Sequence, residues 1–302
     1  DTELMEYKYD SKVQRDGTND ISKLIYPTFT QDKIKKIEFQ NNPQPRIYVV
    51  TVSGLLYVLT YHRDEDYYAW SKISSTALYK DITVLRNGFT SGLDKVWVTT
   101  FRANTSRFEH FYSEADTTTE PKYFLDGSTY NQSYDVASNL SSGNISLAVT
   151  GHADGTAVGV VIDDVYQGEY TVTSNAVSVP TSLTTGTIKY VAGLRYTGEL
   201  QPMYPTWNGA NKPAYGSDEI RVISQKVFAI NSHRFKQGVD GKFATVKLPG
   251  FNAPTSVSAY TGFDKERPVA GSQFGVDKIP EIQQDEPYEL TIASLVTKTD
   301  LN

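Results

Sequence analysis

Apolar and β-branched residues run over 47–52, break at Ser53-Gly54, and resume over 55–61. Two strand-like runs reversed at a glycine predict a β-hairpin. Short runs of the same kind follow at 68–71, 82–85, 95–101 and 107–111. Strands this short, separated by turns at meander spacing, predict propeller blades or an antiparallel barrel. Upstream, residues 3–9 predict a strand and Asp16-Gly17 a polar turn. Ile21, Leu24 and Ile25 then predict a short helix, capped by Thr18, Asn19 or Asp20 and ended by Pro27. Residues 33–39 predict another strand, and Asn42-Pro43-Gln44-Pro45 an extended entry into the hairpin.

Downstream the pattern changes twice. Residues 113–143 are rich in Ser, Thr, Asn, Asp and Gly, which predicts a long irregular connection and a boundary. From Asn144 short apolar runs alternate with turn pairs such as Asp154-Gly155 and Asn175-Ala176, predicting a small β-sandwich or barrel. Residues 193–216 combine Gly, Pro, Tyr and Trp207, too irregular for a strand and too aromatic for a linker. An ordered loop against a neighbouring subunit fits that mixture, with Tyr196 and Trp207 as contact candidates. Residues 219–235 predict one long strand kinked near Ser224-Gln225, and 242–248, 255–260 and 288–296 complete the sheet. The expected fold is therefore all-β: a propeller-blade-like antiparallel meander (1–125), an inserted small β-sandwich or barrel (126–192), and a return to the main β body (193–302).

Composition narrows the chemistry. The 302 residues contain 21 Tyr, 13 Phe and 3 Trp, a mix that favours strands. With no cysteine, disulfides and thiolate metal sites are excluded. No apolar run reaches the ~18 residues of a membrane-spanning helix. The net charge of −6 argues against gripping a nucleic-acid backbone, but not against a conduit that lets DNA slide past.

Candidate catalytic groups do not assemble. No phosphate loop, HExxH or GxSxG is present, and His62, His110, His152 and His233 lack ligand spacing. His62 and the acidic run Asp64-Glu65-Asp66 suit a solvated hairpin tip, because neighbours in a strand point to opposite sides. His152-Ala153-Asp154-Gly155 and Asp163-Asp164 read as turns. Trp70 and Trp97 lie beside apolar residues in strands, which predicts packing. Arg102 ends one strand and Glu109 falls in the next, where a cross-strand pair can form. No metal, cofactor or catalytic residue is expected.

Certain segments carry a resemblance. Gly54-Leu55-Leu56, Leu59-Thr60-Tyr61, Ala69-Trp70-Ser71, Arg102 and Phe108-Glu109 occur in that order, followed by Gly193-Leu194-Arg195-Tyr196-Thr197 and Glu199-Leu200-Gln201-Pro202. This series resembles the tail tubular protein B, or tail nozzle, family of short-tailed phages. Arg195 stands where that family usually has Pro. The resemblance implies a non-enzymatic virion tail component: a homohexameric tube that forms the DNA-ejection conduit. Its implied partners are the tail adaptor, the tail fibres, double-stranded DNA passing unbound through the bore, and the host envelope. It also implies that Arg102 and Glu109 lock adjacent strands, and that the chain is the C-terminal part of a longer protein. The competing expectation is an extracellular β protein that binds or hydrolyses carbohydrate, with Trp70, Trp97 and Trp207 as sugar platforms. A bacterial surface adhesion module is a third.

Overall fold

The computed structural model describes residues 2–10, 15–62, 67–86, 93–111, 123–202, 220–249, 251–252, 256–257, 259–275 and 278–301. It is mostly β, built from many small antiparallel sheets. The chain divides into two compact units, Asp1–Glu120 and Pro121–Asn302.

The first unit opens with a ribbon of β1 (Met5–Asp10) and β2 (Arg15–Asp20). Asp16 and Gly17 are paired inside this ribbon, opposite Tyr9 and Lys8, so the turn expected there is strand instead. A 3-10 turn (Lys23–Ile25) leads into α1 (Tyr26–Gln31). Pro27 thus starts a helix rather than ending one. It lacks an N–H where helices need none and its fixed φ suits the first turn. The expected cap is also absent: Asp20 ends the ribbon and accepts from the Ser22 N–H and hydroxyl.

Four strands follow as a meander: β3 (Ile34–Gln40), β4 (Arg46–Thr51), β5 (Leu56–His62) and β6 (Tyr67–Ile73). A second meander holds β7 (Leu78–Leu85), β8 (Lys95–Arg102) and β9 (Thr105–His110). Period-two alternation sends Tyr48, Val50, Leu56 and Val58 of the first sheet against Tyr79, Ile82, Val96 and Val98 of the second. Phe29 of α1 covers Val49 and Tyr57 on the far side of the first sheet. Gly54 is where the two sheets meet. Its φ is +92°, its carbonyl accepts from the Tyr79 N–H at 2.8 Å, and an added Cβ would lie 3.1 Å from Leu78 Cβ. Only glycine meets both demands.

The second unit begins with β10 (Asp126–Asp135), β11 (Leu140–Ser141), β12 (Asn144–Ala148), β13 (Ala157–Ile162), β14 (Val165–Thr171), β15 (Ala176–Pro180) and β16 (Thr187–Leu194). They form a four-stranded sheet, β10-β16-β13-β14, and a three-stranded sheet, β11-β12-β15. One aliphatic core lies between them, including Ile145, Leu147, Val158, Val160, Val177, Val179 and Ile188. β10 occupies part of the stretch expected to be irregular. It is an edge strand that contacts the core through few positions, so its composition is polar.

The remaining strands are β17 (Gly198–Leu200), β18 (Ile220–Ser232), β19 (Arg234–Val239), β20 (Lys242–Lys247), β21 (Phe251–Asn252), β22 (Ser256–Val257), β23 (Tyr260–Phe263), β24 (Arg267–Pro268), β25 (Pro280–Gln284) and β26 (Thr291–Leu301). β17 lies within the stretch expected to be too irregular for a strand. It pairs with β25 in the sheet β17-β25-β19-β20. β18 carries β23 and β24 on one side and β26 on the other, while β21 and β22 form a ribbon. The long strand expected over 219–235 breaks after Ser232. Asn231 takes φ +47°, and the Ser232 hydroxyl donates to the Ile230 carbonyl while accepting from the Thr291 N–H. The expected kink is present as a register shift between Val222 and Ser224.

Candidate functional site

Of the resemblance-bearing residues in the first unit, Gly54 to Tyr61 lie on the β4–β5 turn and β5, Ala69 to Ser71 on β6, and Arg102, Phe108 and Glu109 on β8 and β9. Inward-facing positions of β8 are Val96, Val98, Thr100 and Arg102, all buried. Arg102 is only 6% exposed, and its guanidinium lies 3.8 Å from the Glu109 carboxylate. Thr100 donates to the other oxygen of Glu109 at 2.9 Å, and Arg102 reaches the Ser75 hydroxyl at 3.4 Å. A loose ion pair tightened by a neutral donor joins two strands and a loop. The contact fastens β8 to β9.

The opposite face of the same strands is aromatic. Trp97 stacks on Phe108 with ring centres 4.7 Å apart and planes 11° apart, and His110 lies 4.8 Å away. Phe108 is 67% exposed. The packing expected of Trp97 is against these rings rather than in the apolar core. In a strand its neighbours, Val96 and Val98, point the other way, and Trp97 is only half-buried. Trp70 also packs: it meets Phe29 edge-on at 5.5 Å and donates its indole N–H to the Ile21 carbonyl at 2.9 Å.

Other expected residues are not on β8 or β9. Tyr196 is 38% exposed, after β16 in the second unit. Arg195 beside it pairs with Glu169 at 3.2 Å and donates to the Tyr166 hydroxyl at 3.3 Å. Trp207 and Asp64-Glu65-Asp66 lie outside the described residues. Asp163 and Asp164 form the tight β13–β14 turn, both at positive φ. Among the described residues, no group of three or more His, Asp or Glu is placed to hold a metal ion.

A polar cluster in the second unit has no signature in the sequence. Tyr123 donates to Asp164, which also pairs with Lys189 at 2.5 Å. Burial, reinforced by the Asp164 carboxylate, pushes the Tyr123 phenol well above its usual range. Asp164 is held low: burial pulls the other way, but Lys189 and Tyr123 outweigh it. Nearby, the Tyr166 N–H donates to the Tyr288 hydroxyl at 2.7 Å, and Phe124 N–H to the Pro287 carbonyl at 3.1 Å. These two bonds tie the β10–β16 module to the loop before β26. Such contacts link positions over a hundred residues apart, which no local sequence signal reports.

The first unit also has a cleft of about 300 Å³ between the β1–β2 ribbon and the β3–β5 surface. Its lining is mainly apolar, with Leu4, Ile21, Ile37, Phe39 and Ile47, plus Tyr61 bonded to Glu6.

No protein-family model and no curated protein matches the chain. Among solved structures, an exo-β-1,3-galactanase from Phanerochaete chrysosporium with β-1,3-galactotriose is similar over 89% of this chain and 82% of that one. The identity is 10% and the TM-score 0.23, too low for any argument about fold or function.

Proposed function

We propose that the chain is a structural component of a virion tail, a ring-forming nozzle protein whose subunits surround the path of ejected DNA. The observation that carries this reading is the use made of the resemblance-bearing residues. Gly54 seats one meander on the next, Trp70 anchors α1 and the ribbon exit, and Arg102 and Glu109 fasten β8 to β9. Each is employed in joining strands and sheets. On this reading the β3–β6 and β7–β9 meanders are blade-like sheets, and the β10–β16 module is a small sandwich inserted between the parts of a main β body. Six copies form the tube, with the tail adaptor and tail fibres as neighbours and the host envelope as the target. Double-stranded DNA passes without specific contact, so the bore is acidic or neutral. Native mass spectrometry of the full chain, with particle images, tests this: a sixfold ring with a central bore is expected. A monomer, or a bore lined continuously by Lys and Arg, would overturn it.

One observation favours a second reading. The exposed Phe108 face beside Trp97 and His110 is the kind of ledge on which a sugar ring stacks. Titration with oligosaccharides, followed by Trp fluorescence, separates the two. Saturable quenching abolished by Phe108→Ala would support carbohydrate binding.

A further inference from the structure

Each unit has a sheet edge that no other described strand pairs. Among the described residues, β9 pairs only with β8, and β26 only with β18. Open edges are templates for strand addition, and proteins usually blunt them with short strands, proline or bulges. β26 has two register shifts against β18, at Val222/Ser224 and Phe228/Ala229, but it is neither short nor broken by proline. It spans 11 residues, and Val296 on its outward face is 54% exposed.

The charges on the two edges are complementary in one register. β9 carries Arg107 and Glu109 two residues apart, and β26 carries Lys298 and Asp300 at the same spacing. Laid antiparallel with residues 106–110 against 297–301, Arg107 faces Asp300 and Glu109 faces Lys298. Directly opposed residues share a face, and opposite charges there are favourable. The rows continue into both sheets. Asp300 already stands opposite Arg221, and Arg107 opposite Thr100. Arg107 also has a buried Nε with no hydrogen-bond partner.

The layers behind the strands are compatible. Arg107 and Glu109 share the face of Val98 and Thr100, where the first unit's core lies. Lys298 and Asp300 lie on the face opposite Leu295, which packs on the core of the C-terminal sheets. In the joined sheet the two cores therefore fall on opposite sides and do not collide.

We propose that β9 of one copy adds to β26 of the next, a head-to-tail contact that makes one sheet run across two subunits. It rests on the ring-forming reading and names the surface that would close the ring. A heterologous contact of this kind closes if the rotation per subunit divides the circle. Pairing β9 with β9 also opposes Arg107 to Glu109, but it closes a two-fold dimer and leaves the longer β26 edge unanswered.

The absence of cysteine makes the test clean. Phe108→Cys and Thr299→Cys place thiols on directly opposed residues, within the ~4.5–5.5 Å Cα separation that a disulfide spans. The full chain carrying both substitutions should oxidise to a ladder of covalent oligomers, while either single variant stays uncrosslinked. In a companion set, Arg107→Glu should lower the assembled fraction at least tenfold by native mass spectrometry. Adding Asp300→Arg in the same chain should restore it, with unchanged circular dichroism throughout. Crosslinking of Phe108→Cys alone, or rescue by Glu109→Arg instead, would assign the edge to a two-fold dimer and overturn the proposal. A disulfide within one copy would also overturn it. A sixfold ring without the ladder overturns the strand contact and leaves the ring reading standing. A folded monomer in every variant overturns both.

Discussion

The second unit contains two sheet pairs that solve the same problem differently. Between β10–β16 strands the interior is nearly all aliphatic, with Tyr134 and Tyr190 at its margin sending their hydroxyls to the Ser146 and Ala148 carbonyls. Between β18–β26 and the sheet of β19, β20 and β25 the apolar core is smaller: Val227, Ala229, Phe235, Val246, Leu248 and Ile282. Gln225, Gln237, Ser224 and Asp264 are buried around it. Asp264 is held by Arg267, and Ser224 by Glu266. Gln225, at 1% exposure, has neither amide atom bonded. The first pair gains stability from close aliphatic packing. The second gives part of that up to groups that specify register and take their neighbours with them when altered.

The contrast can be broken most severely from the dry side. Leu147→Gln, which puts an amide where no partner exists, should cost about 3–4 kcal/mol in denaturant unfolding; a loss under about 1 kcal/mol would mean that water already enters that core. Next in size is the link between the modules. Tyr288→Phe leaves the Tyr166 N–H without its acceptor and should cost about 1–3 kcal/mol, with faster amide exchange at Tyr166. On the polar side, Gln225→Met should raise stability by about 1 kcal/mol, because it removes an unbonded amide at similar volume. A destabilised Gln225→Met variant would instead mark that amide as structural. The smallest effect is one of pH. Burial pulls the His233 imidazole below its ordinary 6.5. The unfolded chain therefore binds this proton more readily, and the stabilising difference, full above pH 6.5, is lost as pH falls through the lowered folded value. His233→Gln should flatten the fall in melting temperature below pH 6.5. An unchanged slope would assign that fall to the carboxylates.

How much of this was legible in the chain depended on range. The Gly54 reversal and the cross-strand approach of Arg102 to Glu109 were legible because both are set by strand period and a short turn. Trp97 shows the same rule applied incompletely: its apolar neighbours sit on the other face, so alternation places it outward. β10 escaped because its sequence, DGSTYNQSYD, is polar; pairing with β16, rather than composition, makes it a strand. Pro27 misleads as a helix end, because proline begins helices as well as ending them. The Tyr123–Asp164–Lys189 cluster and the Tyr166–Tyr288 bond were not legible, since each depends on how distant strands stack.

The antiparallel pairing of β18 with β26 also sets how the second unit responds to tension. Ile220 lies opposite Leu301 at one end, and Ile230 opposite Thr291 at the other. Ladder hydrogen bonds lie across the strands. A pull that separates residues 220 and 301 therefore peels them one after another, at low force. A pull between residues 232 and 301 loads them all together in shear, and the same ladder becomes a brace. Direction of load, more than the number of bonds, decides whether this part of the protein yields.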